Sequence, residues 1–146
     1  MNAAIALLFL TQAFLAQATT PSIDQIRGDA NLEHRAKAAV EFAAAAEKSA
    51  EANYARGDMA AVQADLKAMV EAVETARDAL EQTGRPASRH PGPYKSAELK
   101  TQDILVRLND LERRMDAEER AVVAAPRNRV QEIHDAWFDG IMSKKK

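Results

Sequence analysis

The sequence predicts an all-α fold, an antiparallel up-down helical bundle of four main helices, the last preceded by a short turn and a proline break. Two observations carry this expectation. Apolar residues recur in steps of three and four over three long stretches and a shorter one near the C-terminus, and sharp turn signals separate them. No stretch shows the alternation of apolar and polar residues that marks a half-buried strand. Four amphipathic segments on short links close most simply as a bundle.

The chain has 146 residues and a formal charge of −2, a size that fits one domain with one core. From Ala3 to Ala18 there is no charged residue, and the apolar centre is Ile5, Leu7, Leu8, Phe9 and Leu10. Ala16-Gln17-Ala18 then supplies the small-x-small pattern of a signal-peptidase site. Residues 1–18 are therefore expected to be a signal peptide cut after Ala18, which directs the protein to the periplasm or outside the cell. A membrane association is expected only if this segment stays uncleaved, and Gln12, Gln17, Thr19 and Thr20 interrupt it short of the roughly 20 apolar residues of a span. Residues 19–29, with Pro21 and Gly28, read as a flexible leader, residues 30–142 as the bundle domain, and residues 143–146 as a basic tail.

The first helix is expected from Ala30, with Leu32, Ala36, Ala39, Ala43, Ala46 and Ala50 on one stripe. Alanine has the highest helix propensity and lets a second helix approach closely. Gly57-Asp58 then combines a helix-ending glycine with a helix-starting aspartate, so a tight antiparallel hairpin follows. The turn around Tyr54, Gly57, Asp58 and Ala61 resembles the turn within a tetratricopeptide repeat, although no 34-residue repeat follows. The second helix carries Met59, Val62, Leu66, Met69, Val73, Ala76 and Leu80, large residues that complement the alanines.

Thr83-Gly84 closes this helix, and Arg85 to Pro93, with three prolines, reads as a loop. A third helix is expected from about Lys95, with Leu99, Ile104, Leu105, Leu108, Leu111 and Met115 inward. Asp103–Arg107 and Asp110–Arg114 are spaced as i,i+4 ion pairs on its outer face. Asp116 to Glu119 has the form of a capping box. Pro126 predicts a break, giving a turn over 117–124 and a last helix from Pro126 to Asp139 with Gly140 as its stop.

Composition excludes several functions. There is no cysteine, so thiol catalysis, thiolate metal sites and disulfides are out. Aromatics are 5% of residues and no basic face stands out, which argues against nucleic acid. No Glu-x-x-His pair, His-Glu-x-x-His motif or glycine-rich phosphate loop is present. The expectation is a non-enzymatic protein without a cofactor, acting in the cell envelope through a protein partner or through self-association. Its contact residues are expected to be Trp137, Phe138 and Ile141, with Arg85 and Arg89 of the proline-rich loop as a second docking or anion-binding element.

Two alternatives stand beside that reading. In an up-down bundle, His34 and His134 fall at one end, and this placement is similar to the soluble four-helix cytochromes b, whose last helix carries a ligand histidine near its end. The resemblance implies haem or metal binding by His34 and His134, and it departs from those proteins in having no methionine on helix one. The other alternative is a periplasmic chaperone-like protein, which needs an exposed apolar concavity.

Overall fold

The computed structural model describes residues 20–143. The expected signal segment and the lysines at 144–146 lie outside the described residues. Five helices follow one another: α1 (Ile23–Arg27), α2 (Leu32–Ala55), α3 (Met59–Gln82), α4 (Pro91–Arg114) and α5 (Ala117–Met142). The four long ones form a helical bundle, and no strand occurs among the described residues.

Both hairpins are built by the signals that the sequence carries. Gly57 has φ 75°, a left-handed conformation that a side chain would strain, and Asp58 accepts a hydrogen bond from the Ala61 amide to start α3. At the other hairpin the Asp116 carboxylate accepts from the Glu119 amide while the Glu119 side chain accepts from the Asp116 amide, a complete capping box. The direction of the long helices alternates along the chain. Their lateral order is not sequential: α2 packs against α3 and α4, and α5 packs against α4 and α3. The start of α2 lies beside the start of α4, and α3 from Gln63 to Glu71 runs alongside α5 from Val122 to Arg129. Two antiparallel hairpins are thus laid face to face with like-directed helices adjacent, and residues 83–90 cross one diagonal.

Several boundaries differ from the expectation. The leader is not wholly flexible. Residues 23–27 form α1, started by a capping box of Ser22 and Gln25, and its Ile26 is buried in the core. Arg27 Nε donates to Thr75 Oγ1 of α3 at 3.3 Å, and Arg35 Nε donates to the Asp29 carbonyl at 2.8 Å, so both flanks of the α1–α2 link are tied. Helix α4 starts at Pro91 rather than near Lys95, because Pro91 and Pro93 fall in the first turn, where the missing amide has no helical partner to lose.

The proline break does not occur. Helix α5 is continuous from Ala117 to Met142 with Pro126 inside it. Val123, Val130, Ile133 and Trp137 are buried on both sides of the proline, and their burial offsets the roughly 3 kcal/mol that an interior proline costs. Gly140 is not the stop either. It lies inside α5, and a Cβ there would come within 3.2 Å of the Ala87 Cβ from the 83–90 loop. Its small size seats that loop on the helix.

The core joins the alanines of α2 (Ala36, Ala39, Ala43, Ala50) to the larger Leu66, Met69 and Leu80 of α3 and to Ile104, Leu108 and Leu111 of α4. Leu99, expected to point inward, is instead 50% exposed. Pro126→Ala restores an amide facing the Val122 carbonyl and should stabilise the protein by about 1–3 kcal/mol, read as a higher urea midpoint. A lower midpoint would mean that the proline ring, half-buried beside Val70, contributes more by packing than it costs.

Candidate functional site

Among the described residues the buried polar side chains are Glu47, Asn53, Thr75, Glu98 and Thr101; two places among them concern the candidate site, and the sequence had pointed to one. His134 sits between α5 and α4. Its Nδ1 is 3.1 Å from Thr101 Oγ1, and its Nε2 is 3.6 Å from Glu98 Oε1. The Thr101 hydroxyl also lies 3.0 Å from the Ala97 carbonyl and 2.9 Å from the Glu98 carbonyl. With its single proton given to one of those carbonyls, it accepts from His134 Nδ1–H. Nε2 then faces the Glu98 carboxylate, and a second proton on the ring turns this contact into an ion pair. The three residue types are those of a nucleophilic triad, but the Thr101 side chain is wholly buried and engaged with helix carbonyls. The arrangement locks α4 to α5 rather than offering a nucleophile to a substrate.

His34 belongs elsewhere. Its Nδ1 contacts the Asp29 carboxylate, which lowers the Asp29 pKa chiefly through that hydrogen bond, and its side chain is largely exposed. It lines a cleft of about 350 Å³ between the starts of α2 and α4, with Asn31, Lys37, Pro93 and Ser96. Helices α2 and α5 occupy opposite corners, so the structure gives His34 and His134 separate partners instead of one shared site. No group of three or more His, Cys, Asp or Glu placed to hold a metal ion occurs among the described residues.

The second polar place was missed. Glu47 of α2 is fully buried, and neither carboxyl oxygen has a hydrogen-bond partner. Burial, followed by the adjacent Glu51 carboxylate, pushes its pKa up to about 8, against the weaker opposing pull of Arg107 on α4 and Lys48 on α2. The signal was in the spacing, because Ala36, Val40, Ala43, Glu47 and Ala50 form a four-three-four-three stripe that places Glu47 in the seam. Above it, Glu51 lies 4.0 Å from Arg107 and 3.8 Å from Arg114. The arginines expected to pair within α4 thus reach across to α2, and Asp110 contacts Arg113 instead, at 3.4 Å.

The expected contact residues separate into different roles. Trp137 is 4% exposed and belongs to the core, packed near Tyr94, Ile133 and Gly140, so it is not available as a surface anchor. Phe138, one residue on and rotated by about 100°, is 48% exposed. Ile141 is half-buried at the end of α5. Arg85 is exposed and lies 3.8 Å from Glu33, and Arg89 is exposed in a turn whose amide donates to the Pro86 carbonyl. The loop that carries them is pinned, since the Tyr94 hydroxyl is 2.9 Å from the Arg85 carbonyl and Ala87 is buried.

The chain matches no protein-family model, no curated protein and no solved structure.

The raised Glu47 pKa makes stability depend on pH. Its folded value lies above the ordinary 4.5, so the stabilisation from the neutral acid is complete below pH 4.5 and is lost by about pH 8. Glu47→Gln, which keeps the shape without the charge, should match the wild type near the lower limit and unfold at higher urea above pH 8. Equal urea midpoints for the two proteins at both ends would contradict an ionisation inside the seam.

Proposed function

We propose that this protein is an exported, non-enzymatic interaction module of the cell envelope that presents the outer side of α4 and α5 to a protein. The observation that carries this reading is where large apolar side chains are left in water. Among the described residues, Leu99 (50% exposed), Val106 (56%), Phe138 (48%) and Met142 (64%) are the large hydrophobics in this state, and all four belong to α4 and α5. Scattered single hydrophobics are ordinary on a surface, but their confinement to one hairpin of two is a polarity that core packing does not require.

Two further features support the reading. The uncharged apolar stretch from Ala3 to Ala18 has the form of an export signal. The buried polar cluster of Glu98, Thr101 and His134 supports an adhesive role inside the bundle and leaves the outer face as the place for contact.

A photo-crosslinking amino acid placed at position 138 of the full chain, expressed in its native cells, should give a discrete protein adduct in the envelope fraction. The same probe at Glu118, exposed at the other end of α5, should give none, and Met142→Asp should weaken the adduct formed from 138. Processing after Ala18 should be visible as a shortened chain in that fraction. Equal adducts from both positions, or none from 138, would remove the interaction reading.

A further inference from the structure

We propose that Glu47 is a proton-operated latch between the two hairpins: in its neutral form it lets α2 close on α4, and in its ionised form it brings water into that seam and separates α4 from α2. The inference concerns the interior and does not depend on the interaction reading above.

Its basis is an anomaly of geometry. Among the described residues, the two Glu47 carboxyl oxygens are the buried side-chain atoms left without a hydrogen-bond partner. A buried carboxylate in that condition is costly. As an acid, however, Glu47 has one O–H to give, and the Glu51 carboxylate one helical turn further on is the adjacent acceptor. Glu51 in turn lies 4.0 Å from Arg107 and 3.8 Å from Arg114. A single proton thus completes a chain that starts inside α2 and ends on two guanidinium groups of α4.

No neighbouring element supplies a second means of holding the ionised form. On α2, Lys48 attracts it and Glu51 repels it, and on α4 the attraction comes from Arg107. Asp103 and Asp110 of α4 are exposed, and Asp110 contacts Arg113. On α3, Asp65 is bonded by Asn53, while Lys67 and Glu71 line the cleft towards α5. On α1, Asp24 and Arg27 contact each other. Ionised Glu47 therefore has to compete with Glu51 for Arg107, or be reached by water.

The seam between α2 and α4 is where the chain can yield. Helices α2 and α3 are joined by the tight turn at Gly57-Asp58, and α4 and α5 by the Asp116–Glu119 box, whereas α2 and α4 belong to different hairpins. Burial and Glu51 hold the Glu47 acid neutral up to about pH 8. The closed form is therefore the one present at neutral pH and below, and separation is expected as the pH rises through that value.

Spin-label distances in the full chain test it. The chain has no cysteine, so Ala45→Cys and Gln102→Cys, both at exposed positions, report on α2 and α4 alone. Between about pH 6 and pH 9.5 their separation should lengthen by about 3 Å, the thickness of one water layer, with its midpoint near pH 8. The control pair Ala45→Cys and Ala64→Cys, across the α2–α3 hairpin, should keep its distance, and circular dichroism should keep its helix signal. Glu47→Gln should hold the α2–α4 pair at the short distance throughout, and Glu47→Leu serves the same purpose if the glutamine chain fails to fold.

An α2–α4 distance that stays constant in the wild type, or one that lengthens equally in chains lacking the Glu47 carboxyl, would overturn the proposal. So would a lengthening of both pairs together with loss of helix, because that is unfolding of the whole bundle and not release of one seam.

Discussion

The close approach of α2 to its two neighbours is the constraint on which the remaining structure depends. Ala36, Ala39, Ala43 and Ala50 are buried along that helix, and α2 is the element that meets its hairpin partner α3 on one side and α4 of the other hairpin on the other. A methyl group loses no rotamer freedom on burial and allows helix axes to come near the short end of the usual spacing of about 8–10 Å. Bulk is supplied from the opposite walls by Leu66, Met69 and Leu80 of α3 and by Ile104, Leu108 and Leu111 of α4. Larger side chains on α2 would push both walls away at once. Glu47 lies in this seam, buried between Ala43 and Ala50 with neither carboxyl oxygen hydrogen-bonded.

From this seam follow the roles of the surrounding polar groups. Charges that could have remained within one helix tie separate elements together, as Glu51 does to Arg107 and Arg114, and as Glu74 of α3 does to Arg129 of α5 at 2.8 Å. Exposed ion pairs of this kind contribute little individually, and they mark register more than strength. His134 joins α4 to α5 in the same way, through Thr101 and Glu98. With the His134 cluster and the cross-helix ion pairs used for joining helices, the apolar side chains left outside, on α4 and α5, are the surface groups without an internal task.

Much of the fold was legible in the sequence because its signals are local. Gly57-Asp58 and the Asp116–Glu119 box are fixed by backbone geometry within a few residues, and the stripe of α3 is large and regular enough to stand out. What escaped depends on a second element. Pro126 reads as a break until the burial of Val123, Val130 and Trp137 is weighed against it, and Gly140 reads as a stop until Ala87 is found against it. Leu99 and Trp137 exchanged roles for the same reason. A helical period assigns faces only relative to a neighbour, and the lateral order α2, α3, α5, α4 places neighbours that the chain order does not. Of the candidate site, His134 was legible as a polar residue on an apolar stripe. Its partners Glu98 and Thr101 were not, because they come from another helix. Glu47 was hidden by the habit of reading a glutamate as solvated, although its spacing placed it among the buried alanines.

Urea denaturation of Ala43→Leu addresses the seam most directly, since Ala43 lies at its centre with no exposed surface. An overfilled interior at that position should lower stability by about 1–3 kcal/mol while leaving the helix content intact. A midpoint equal to or above that of the wild type would show that the walls stand further from α2 than the close-packed account requires, and would contradict it.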